Sequence, residues 1–366
     1  MGDQHFAVTL VVDQLRQRPT SGIATYSRGL LQGLKAMGDA APAVTLAASR
    51  PPAGPDALAG WGWPVHSSRL PGRLATRAWA RGLGTGFVGR GASTPQVLHA
   101  TSFAIPYPRG VPVAMMIHDL AWREVPETFP ARGRRWHEAA LDRAVTHARL
   151  IITPSERTAD LVAAAGMPAG RIVVVAEGAD HLPPADPAAG AALLQSLGVT
   201  GPYLLTVSTL EPRKNLERLM DAYVAIRDRL PDPWPLVVVG PAGWGPQVEP
   251  RSGVKLAGPV SDPVLVSLYQ GARCLAYVPL VEGWGLPPAE AMAACTPVVA
   301  SPMPSTAGAG IVVDPRDVAA IGRALIVASA DEARRSELVT AGLLRVRDLT
   351  WERAAAHHAA AWERLL

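Results

Sequence analysis

The sequence predicts two α/β domains in tandem, each built around a parallel sheet. Three observations carry that expectation. Short apolar runs without alternation recur between segments of helical periodicity, the pattern of strands buried on both faces. Histidine, glycine and charged residues gather where several runs end, which is where such sheets hold ligands. A chain of 366 residues is also long for one core and suits two domains of ordinary size.

Composition narrows the class. Hydrophobic residues make up 48% and charged residues 18%, which describes a folded chain and argues against disorder. The apolar runs, such as 113–117 and 150–152, fall far short of the roughly 20 residues of a membrane span. The start of the chain has no basic segment before its apolar run, so residues 7–12 read as a first strand and not as a signal peptide. Two cysteines, Cys274 and Cys295, cannot form a disulfide framework, and a reducing, cytoplasmic setting is expected. A net charge of +4 suits phosphorylated ligands or an anionic membrane face, and is too dispersed to argue for nucleic acid. Lysine occurs only at 35, 214 and 255 and asparagine only at 215, so the dipeptide Lys214-Asn215 stands out.

In the first half, strand 7–12 leads through a loop to a helix from Gly22 to about Met37, with Ser21 as its N-cap. Gly22 would let a ligand approach that helix N-terminus. After a strand at 43–47, residues 49–93 turn rich in Pro, Gly, Arg and Trp. There Arg69, Arg73, Arg77 and Arg81 recur every four residues and share a helical face, with Arg69 at or outside the helix start because of Pro71. Such a face suits an anionic membrane surface and equally a solvated domain helix. Residues 84–89 match G-x-G-x-x-G, but no strand precedes them and no helix follows, so no dinucleotide site is read there. Strands at 96–99 and 112–119 follow, then a helix at 133–147, a strand at 150–153, a helix at 155–165 capped by Ser155, and a strand at 171–176. His118 ends the second of those strands, where it would face a ligand crevice, with Asp119 beside it. His99 ends the strand before.

In the second half, strand 203–207 runs into Ser208-Thr-Leu-Glu-Pro-Arg-Lys-Asn and a helix to about Arg229. Arg213 and Lys214 sit where a helix dipole disfavours cations, which points to an anion that neutralises both. A planar fork beside a point charge suits a diphosphate. Strands at 235–240 and 254–257 follow, then a loop at 258–262 whose Asp262 caps a helix with core residues Leu265, Leu268 and Tyr269. After strand 274–278, Val-Glu-Gly-Trp-Gly-Leu-Pro-Pro-Ala-Glu places Glu282 and Glu290 eight positions apart. The glycines and prolines between them put Glu282 on a loop and start a helix near Pro288, with Glu290 in its first turn. Between the two, the N–H groups of Gly285 and Leu286 offer an anion seat. Helices at 318–330 and 333–347 precede a last one that Thr350 caps.

The stretch 281–301 closely resembles the E-x7-E signature of the retaining glycosyltransferases with two Rossmann-like domains, the GT-B fold, and 208–216 resembles the same family's R-K-N segment. The resemblance covers nearly the whole chain. It implies an α/β fold of two Rossmann-like domains facing a cleft: an acceptor domain at 1–180, a nucleotide-sugar domain at 188–348, and a C-terminal helix at 349–366 that crosses back to the first domain. It implies that Glu282 and His118 contact the donor sugar, that Arg213 and Lys214 hold the diphosphate, and that Glu290 holds the ribose. Gly22, Ser208, Gly285 and Leu286 then line the donor site and Val260 packs on the base. Asp119 either orients the His118 imidazole or meets the acceptor, and His99 either lines the acceptor side or is a structural residue. The nearest wording is that of bacterial mannosyltransferases using GDP-mannose. Their acceptors are glycans, often lipid-linked, which would place the enzyme peripherally at the inner membrane face through Arg69, Arg73, Arg77 and Arg81. The sequence has no D-x-D pair and no His/Glu cluster with metal spacing, so Arg213, Lys214 and helix N-termini are expected to carry the diphosphate charge without a metal ion. Four departures stand out: Ala176-Glu177 where the family has Pro-Asn, Ser208-Thr209 near a usual glycine, Cys295 at a helix-ending glycine, and a short 301–310 loop without its acidic segment. Nucleotide-sugar 2-epimerases share the fold, and a degenerate binding or scaffold subunit is the non-enzymatic alternative.

Overall fold

The computed structural model describes residues 6–17, 21–79, 81, 83, 95–106, 110–230, 232–249 and 251–366. The glycine-rich segment 84–89 lies outside them.

In chain order the elements are β1 (Ala7–Val11), α1 (Gly22–Ala36), β2 (Ala43–Ala48), β3 (Val65–Ser67), α2 (Gly72–Trp79), β4 (Val97–Ala100), β5 (Val113–Met116), α3 (Ala121–Glu124), α4 (Ala131–His147), β6 (Leu150–Thr153), α5 (Glu156–Ala164) and β7 (Ile172–Val174). Then come α6 (Pro187–Ser196), β8 (Leu204–Val207), α7 (Leu216–Ile226), β9 (Leu236–Val239), β10 (Val254–Gly258), α8 (Asp262–Gly271), β11 (Cys274–Tyr277), α9 (Leu286–Ala293), β12 (Val298–Ala300), β13 (Ile311–Val312), α10 (Val318–Ala330), α11 (Glu332–Val346) and α12 (Trp351–Glu363). The chain divides into two compact units, Met1–Leu120 with Ala131–Gly178 and Thr350–Leu366, and Ala121–Pro130 with Ala179–Leu349.

The first unit holds a seven-stranded parallel sheet in the order β3-β2-β1-β4-β5-β6-β7. Its strands are buried apolar runs, so the side chains of Val8, Leu10, Leu98, Ala114 and Ile151 find cover on both faces. α1 starts where the Ser21 hydroxyl accepts the Ala24 N–H, and it buries Tyr26, Leu30, Leu31 and Leu34 at helical spacing. Gly29 and Gly33, also buried, lie against α12: a Cβ at Gly29 would fall 2.1 Å from the Trp351 ring, and one at Gly33 would fall 2.0 Å from the Trp351 carbonyl oxygen. The C-terminal helix thus belongs to the first unit because two glycines of α1 make room for it.

The second unit holds a six-stranded parallel sheet in the order β10-β9-β8-β11-β12-β13. Tyr223, Ile226, Ile321 and Leu325 of α7 and α10 cover one face, and Leu268, Tyr269, Ala291 and Met292 of α8 and α9 cover the other. In each sheet the strand order reverses, between β1 and β4 and between β8 and β11, and the carboxyl ends of such strands are where α/β sheets form ligand crevices.

Four boundaries differ from the sequence reading. Ala121–Pro130, expected inside the first domain, is compact with the second unit: Ala121 and Val125 pack with Val281, Phe129 lies on Trp244, and the Trp244 indole N–H donates to the Thr128 carbonyl at 2.9 Å. α2 leaves both Arg69 and Arg81 outside its ends, and it buries Trp79 while Leu74 stays 49% exposed. α9 starts at Leu286, two residues before the expected Pro288, because Pro287 and Pro288 fall where helical N–H groups have no intrahelical partner, so Glu290 lies in the second turn. Asp262, expected to cap α8, is its first residue, and Ser261 holds the N-cap position.

Candidate active site

The switch point of the second unit gathers the charged residues. β8 leads into a 3₁₀ turn at Pro212–Lys214, and Asn215 follows in the left-handed region at φ 60°. Asparagine tolerates that conformation, and its amide also donates to the Val278 and Pro315 carbonyls at 3.0 and 2.7 Å. Asn215 therefore ties the β8 loop to the end of the adjacent β11 and fixes the backbone from which Arg213 and Lys214 project. Gly240, at φ 141°, gives the same loop its space, since a Cβ there would lie 1.9 Å from the Ser208 carbonyl oxygen.

Three donors converge on one oxygen of Glu282. Oε2 accepts from Lys214 Nζ at 2.6 Å, from the Tyr277 hydroxyl at 2.7 Å and from an Arg213 guanidinium nitrogen at 3.3 Å. Burial alone would raise the Glu282 carboxyl, but the Lys214 and Arg213 charges and the hydrogen bonds of Lys214 and Tyr277 outweigh it and bring it down to about 2. Glu282 is thus a carboxylate with one oxygen fully engaged, and Oε1 has no partner among the described residues. Tyr277, its phenol pushed far above its usual range by burial and then by the Glu282 charge, stays a hydroxyl that donates to Glu282 and accepts from Lys214 at 2.9 Å. Lys214 therefore uses two of its three N–H bonds on Tyr277 and Glu282, and the third has no partner among the described residues. Arg213 also pairs with Glu211 at 3.1 Å, whose carboxyl burial raises against the lowering effect of Arg213 and Lys214.

The α9 N-terminus completes this site. Gly285 precedes the helix at φ 99°, and a Cβ there would fall 2.4 Å from Met303 Sδ and 2.6 Å from Ser305 Oγ. Only glycine fits. Its N–H and that of Leu286 have no partner among the described residues, and neither do the buried Ser208 Oγ, Ser305 Oγ and Trp284 Nε1. Unpaired buried polar atoms are costly, and the unpartnered Gly285 and Leu286 N–H groups at a helix N-terminus suit an anion. Glu290, buried, instead already has partners: His181 Nε2 at 3.0 Å on one oxygen and the Tyr269 hydroxyl at 2.8 Å on the other. Val260 packs, half-buried, on the core beneath the sheet's end. At the other end of α9, the N–H groups of Cys295 and Thr296 return to Met292 and Ala291, closing the helix with Cys295 at φ 61°, the strained geometry that its place at a usual glycine implies.

In the first unit, His118 follows β5 with both ring nitrogens on acceptors: Nε2 lies 3.1 Å from the Thr101 carbonyl oxygen and Nδ1 lies 3.3 Å from Glu177 Oε1. Asp119 is half-buried beside it, and Gly22 is exposed, with open space where a Cβ would be. His99 requires a correction. It is wholly buried between Tyr26, His358 and Trp362 and is not placed to meet an acceptor. The direction of each bond there is fixed. The Trp362 indole only donates, so His99 Nδ1 accepts it at 3.3 Å and His99 Nε2 donates to the Tyr26 oxygen at 3.2 Å. The Tyr26 hydroxyl then donates to His358 Nε2 at 2.8 Å, and His358 Nδ1 donates to the Ala354 carbonyl at 2.7 Å. Both histidines are neutral in this chain. Burial accordingly holds His99 well below the usual imidazole range and His358 down to about 4.

Sequence reading missed Tyr277, Tyr269, His181 and Glu177 as partners of site residues. Tyr277 carried a signal, as a polar group at the end of an otherwise apolar strand, and so did Glu177, as a departure from the family's Pro-Asn. Among the described residues no group of three or more His, Cys, Asp or Glu side chains is placed to hold a metal ion.

The family model for glycosyl transferases group 1 matches residues 195–344, and that for a glycosyl transferase 4-like domain matches 21–178. O-antigen chain mannosyltransferase B of Escherichia coli is 32% identical over 272 residues, covering 70% of this chain and 71% of that protein. Among solved structures, sucrose-phosphate synthase from Thermosynechococcus elongatus superposes with a TM-score of 0.76 at 18% identity, over 98% of this chain and 99% of the other. HepE of Anabaena, solved with UDP and glucose, gives 0.73 at 19% identity over 98% and 100%. At those identities the structures speak to the fold alone.

Proposed function

The chain belongs to the group 1 glycosyl transferases and has the GT-B fold, and on that basis we propose that it moves a hexose, mannose in the first place, from a nucleoside-diphosphate sugar to a glycan hydroxyl with retention. The observation that carries this reading is the cluster at the β8/β11 switch point. There Arg213 and Lys214 stand beside a carboxylate, and Lys214 keeps an N–H uncommitted among the described residues. A diphosphate leaving group needs positive charge as its bond to the sugar breaks, and these two side chains with the α9 N-terminus supply it without a metal ion. In the proposed step the anomeric carbon–oxygen bond to phosphate breaks, the acceptor oxygen bonds to the same face, and its proton passes to the departing phosphate oxygen. Glu282 orients a sugar hydroxyl through Oε1; with Oε2 held by three donors it is a poor nucleophile. Glu290 takes the ribose by exchanging or sharing its His181 and Tyr269 bonds.

Mannose is favoured by the likeness to the E. coli O-antigen chain mannosyltransferase, and GDP by the resemblance of the 208–216 wording to enzymes that use GDP-mannose. That name also motivates a polysaccharide-precursor acceptor. In this reading the acceptor is lipid-linked and is met at a membrane face by the exposed Arg73 and Arg77 of α2 with the flanking Arg69 and Arg81. No helix among the described residues is long and apolar enough to cross a membrane.

The test is a thermal-shift and turnover panel of GDP-mannose, UDP-glucose and UDP-GlcNAc, each with EDTA. A donor bound by the native state alone raises the melting temperature, by an amount set by its concentration over Kd. GDP-mannose should give the largest shift, lost in Arg213→Ala and Lys214→Ala, and should transfer mannose with EDTA present. No shift with any donor would sink the reading, and release of an epimerised UDP-sugar without an acceptor would replace it.

A further inference from the structure

We infer that Glu177 holds His118 as an imidazolium, so that the histidine after β5 is a fixed positive charge and not a proton acceptor. The geometry of the ring carries this. Nε2 faces the Thr101 carbonyl oxygen, which can only accept, so that nitrogen bears a hydrogen. Nδ1 faces Glu177 Oε1, and one proton must lie between them. It resides on the more basic partner, the imidazole, whose ordinary pKa of about 6.5 exceeds the carboxyl's of about 4.3. Glu177 is 4% exposed, and His118 is its hydrogen-bond partner among the described residues. A buried carboxylate needs a counter-charge, and this pair provides it.

The surroundings agree from every side. Tyr26 of α1 packs edge-on against the His118 ring at 4.8 Å and is a neutral phenol. His99 of β4 and His358 of α12, the other basic groups nearby, are kept neutral by the hydrogen-bond chain through Tyr26 and do not compete for the charge. Asp119, next in the chain, adds a second negative group. Burial pushes the His118 ring toward neutrality, but Glu177, Thr101 and Asp119 together raise it above its ordinary value.

Glu177 is therefore a positioning residue: it acts through His118, fixing both its orientation and its charge. A ring with both nitrogens donating cannot take the acceptor's proton. Its value to transfer, which rests on the donor reading above, is as a fixed cation and not as a base.

Nitrogen-15 NMR of the His118 ring, assigned by its loss in His118→Gln, reads the charge directly and needs no substrate. The wild type should show the imidazolium pattern at neutral pH, with both nitrogens protonated, and should titrate above an ordinary histidine. Glu177→Gln should titrate at lower pH, because burial then acts unopposed by the carboxylate, and Glu177→Asp should restore part of the difference. In parallel, the alkaline limb of transfer should move to lower pH in Glu177→Gln. A wild-type ring that is neutral at or below about pH 6.5 overturns the proposal even if the Gln variant does not fold. An unchanged titration in a folded Glu177→Gln overturns it as well. Absence of transfer with every donor would count against the donor reading and leave the NMR result to stand alone.

Discussion

Glu282, Lys214 and Tyr277 form a triangle in which each member hydrogen-bonds the other two. Tyr277→Phe keeps the buried ring but removes a donor to the carboxylate and an acceptor for the ammonium. A hydrogen bond to a charged group is worth about 1.5–3 kcal/mol, so kcat/KM should fall roughly 10- to 100-fold with a smaller change in melting temperature, read by steady-state kinetics and calorimetry. The same cluster sets a pH dependence. The Glu282 carboxyl is depressed to about 2 in the folded chain, so its stabilisation is present above the unfolded carboxylate value of about 4.3 and is lost as pH falls toward 2. Urea unfolding should show the wild type losing more stability than Glu282→Gln between about pH 5 and pH 2.5; equal losses would mean that Glu282 is not the titrating group. The two glutamates, Arg213 and Lys214 were legible because they lie within two short signatures. Their partners were not: His181 reaches Glu290 across 109 positions and Lys214 reaches Tyr277 across 63.

Helix contacts in the first unit depend on absent side chains. Gly33 of α1 meets backbone of α12, which cannot rotate away, so Gly33→Ala should destabilise the chain by about 3 kcal/mol, seen as a lowered melting temperature and faster hydrogen exchange in α12. At the end of α9 the effect is reversed. Cys295 occupies the left-handed region that costs a residue with a Cβ roughly 1 kcal/mol, and it is exposed. Cys295→Gly should raise stability by up to about 1 kcal/mol, less the entropy glycine adds to the unfolded chain. The caps at Ser21, Ser155 and Thr350 were legible because a cap depends on residues three positions apart. The α9 start was misread by two residues, since consecutive prolines fit any of its first positions.

The first unit is discontinuous in sequence: the chain leaves it at Gly178 and returns at Thr350. The returning helix brings Trp351 and Trp362, 2% and 0% exposed, and closes the hydrogen-bond chain on Tyr26 and His99. Ending the chain at Leu349 should therefore unfold or loosen the first unit while sparing the second. Hydrogen exchange should show protection lost in α1 and β4 and retained in β8, β9 and β11; uniform loss or uniform retention would refute this. The affiliation of Ala121–Pro130 with the second unit was invisible beforehand, because it rests on Trp244 and Val281 meeting Phe129, Thr128 and Val125 from far along the chain.

Sequence alone determined the alternation of apolar strands with capped helices, the two-sheet class, and the identity of Arg213, Lys214, Glu282, Glu290 and His118 as the residues to watch. Each of these depends on spacing within a few residues, which strand and helix periods convert directly into geometry. The tertiary structure decided what those residues are chemically. It made Glu282 a depressed carboxylate, decided that His99 is a core residue and not an acceptor contact, and set Glu177 against His118. Charge states depend on burial and on partners within a few ångströms, and those distances exist only once the sheets have assembled.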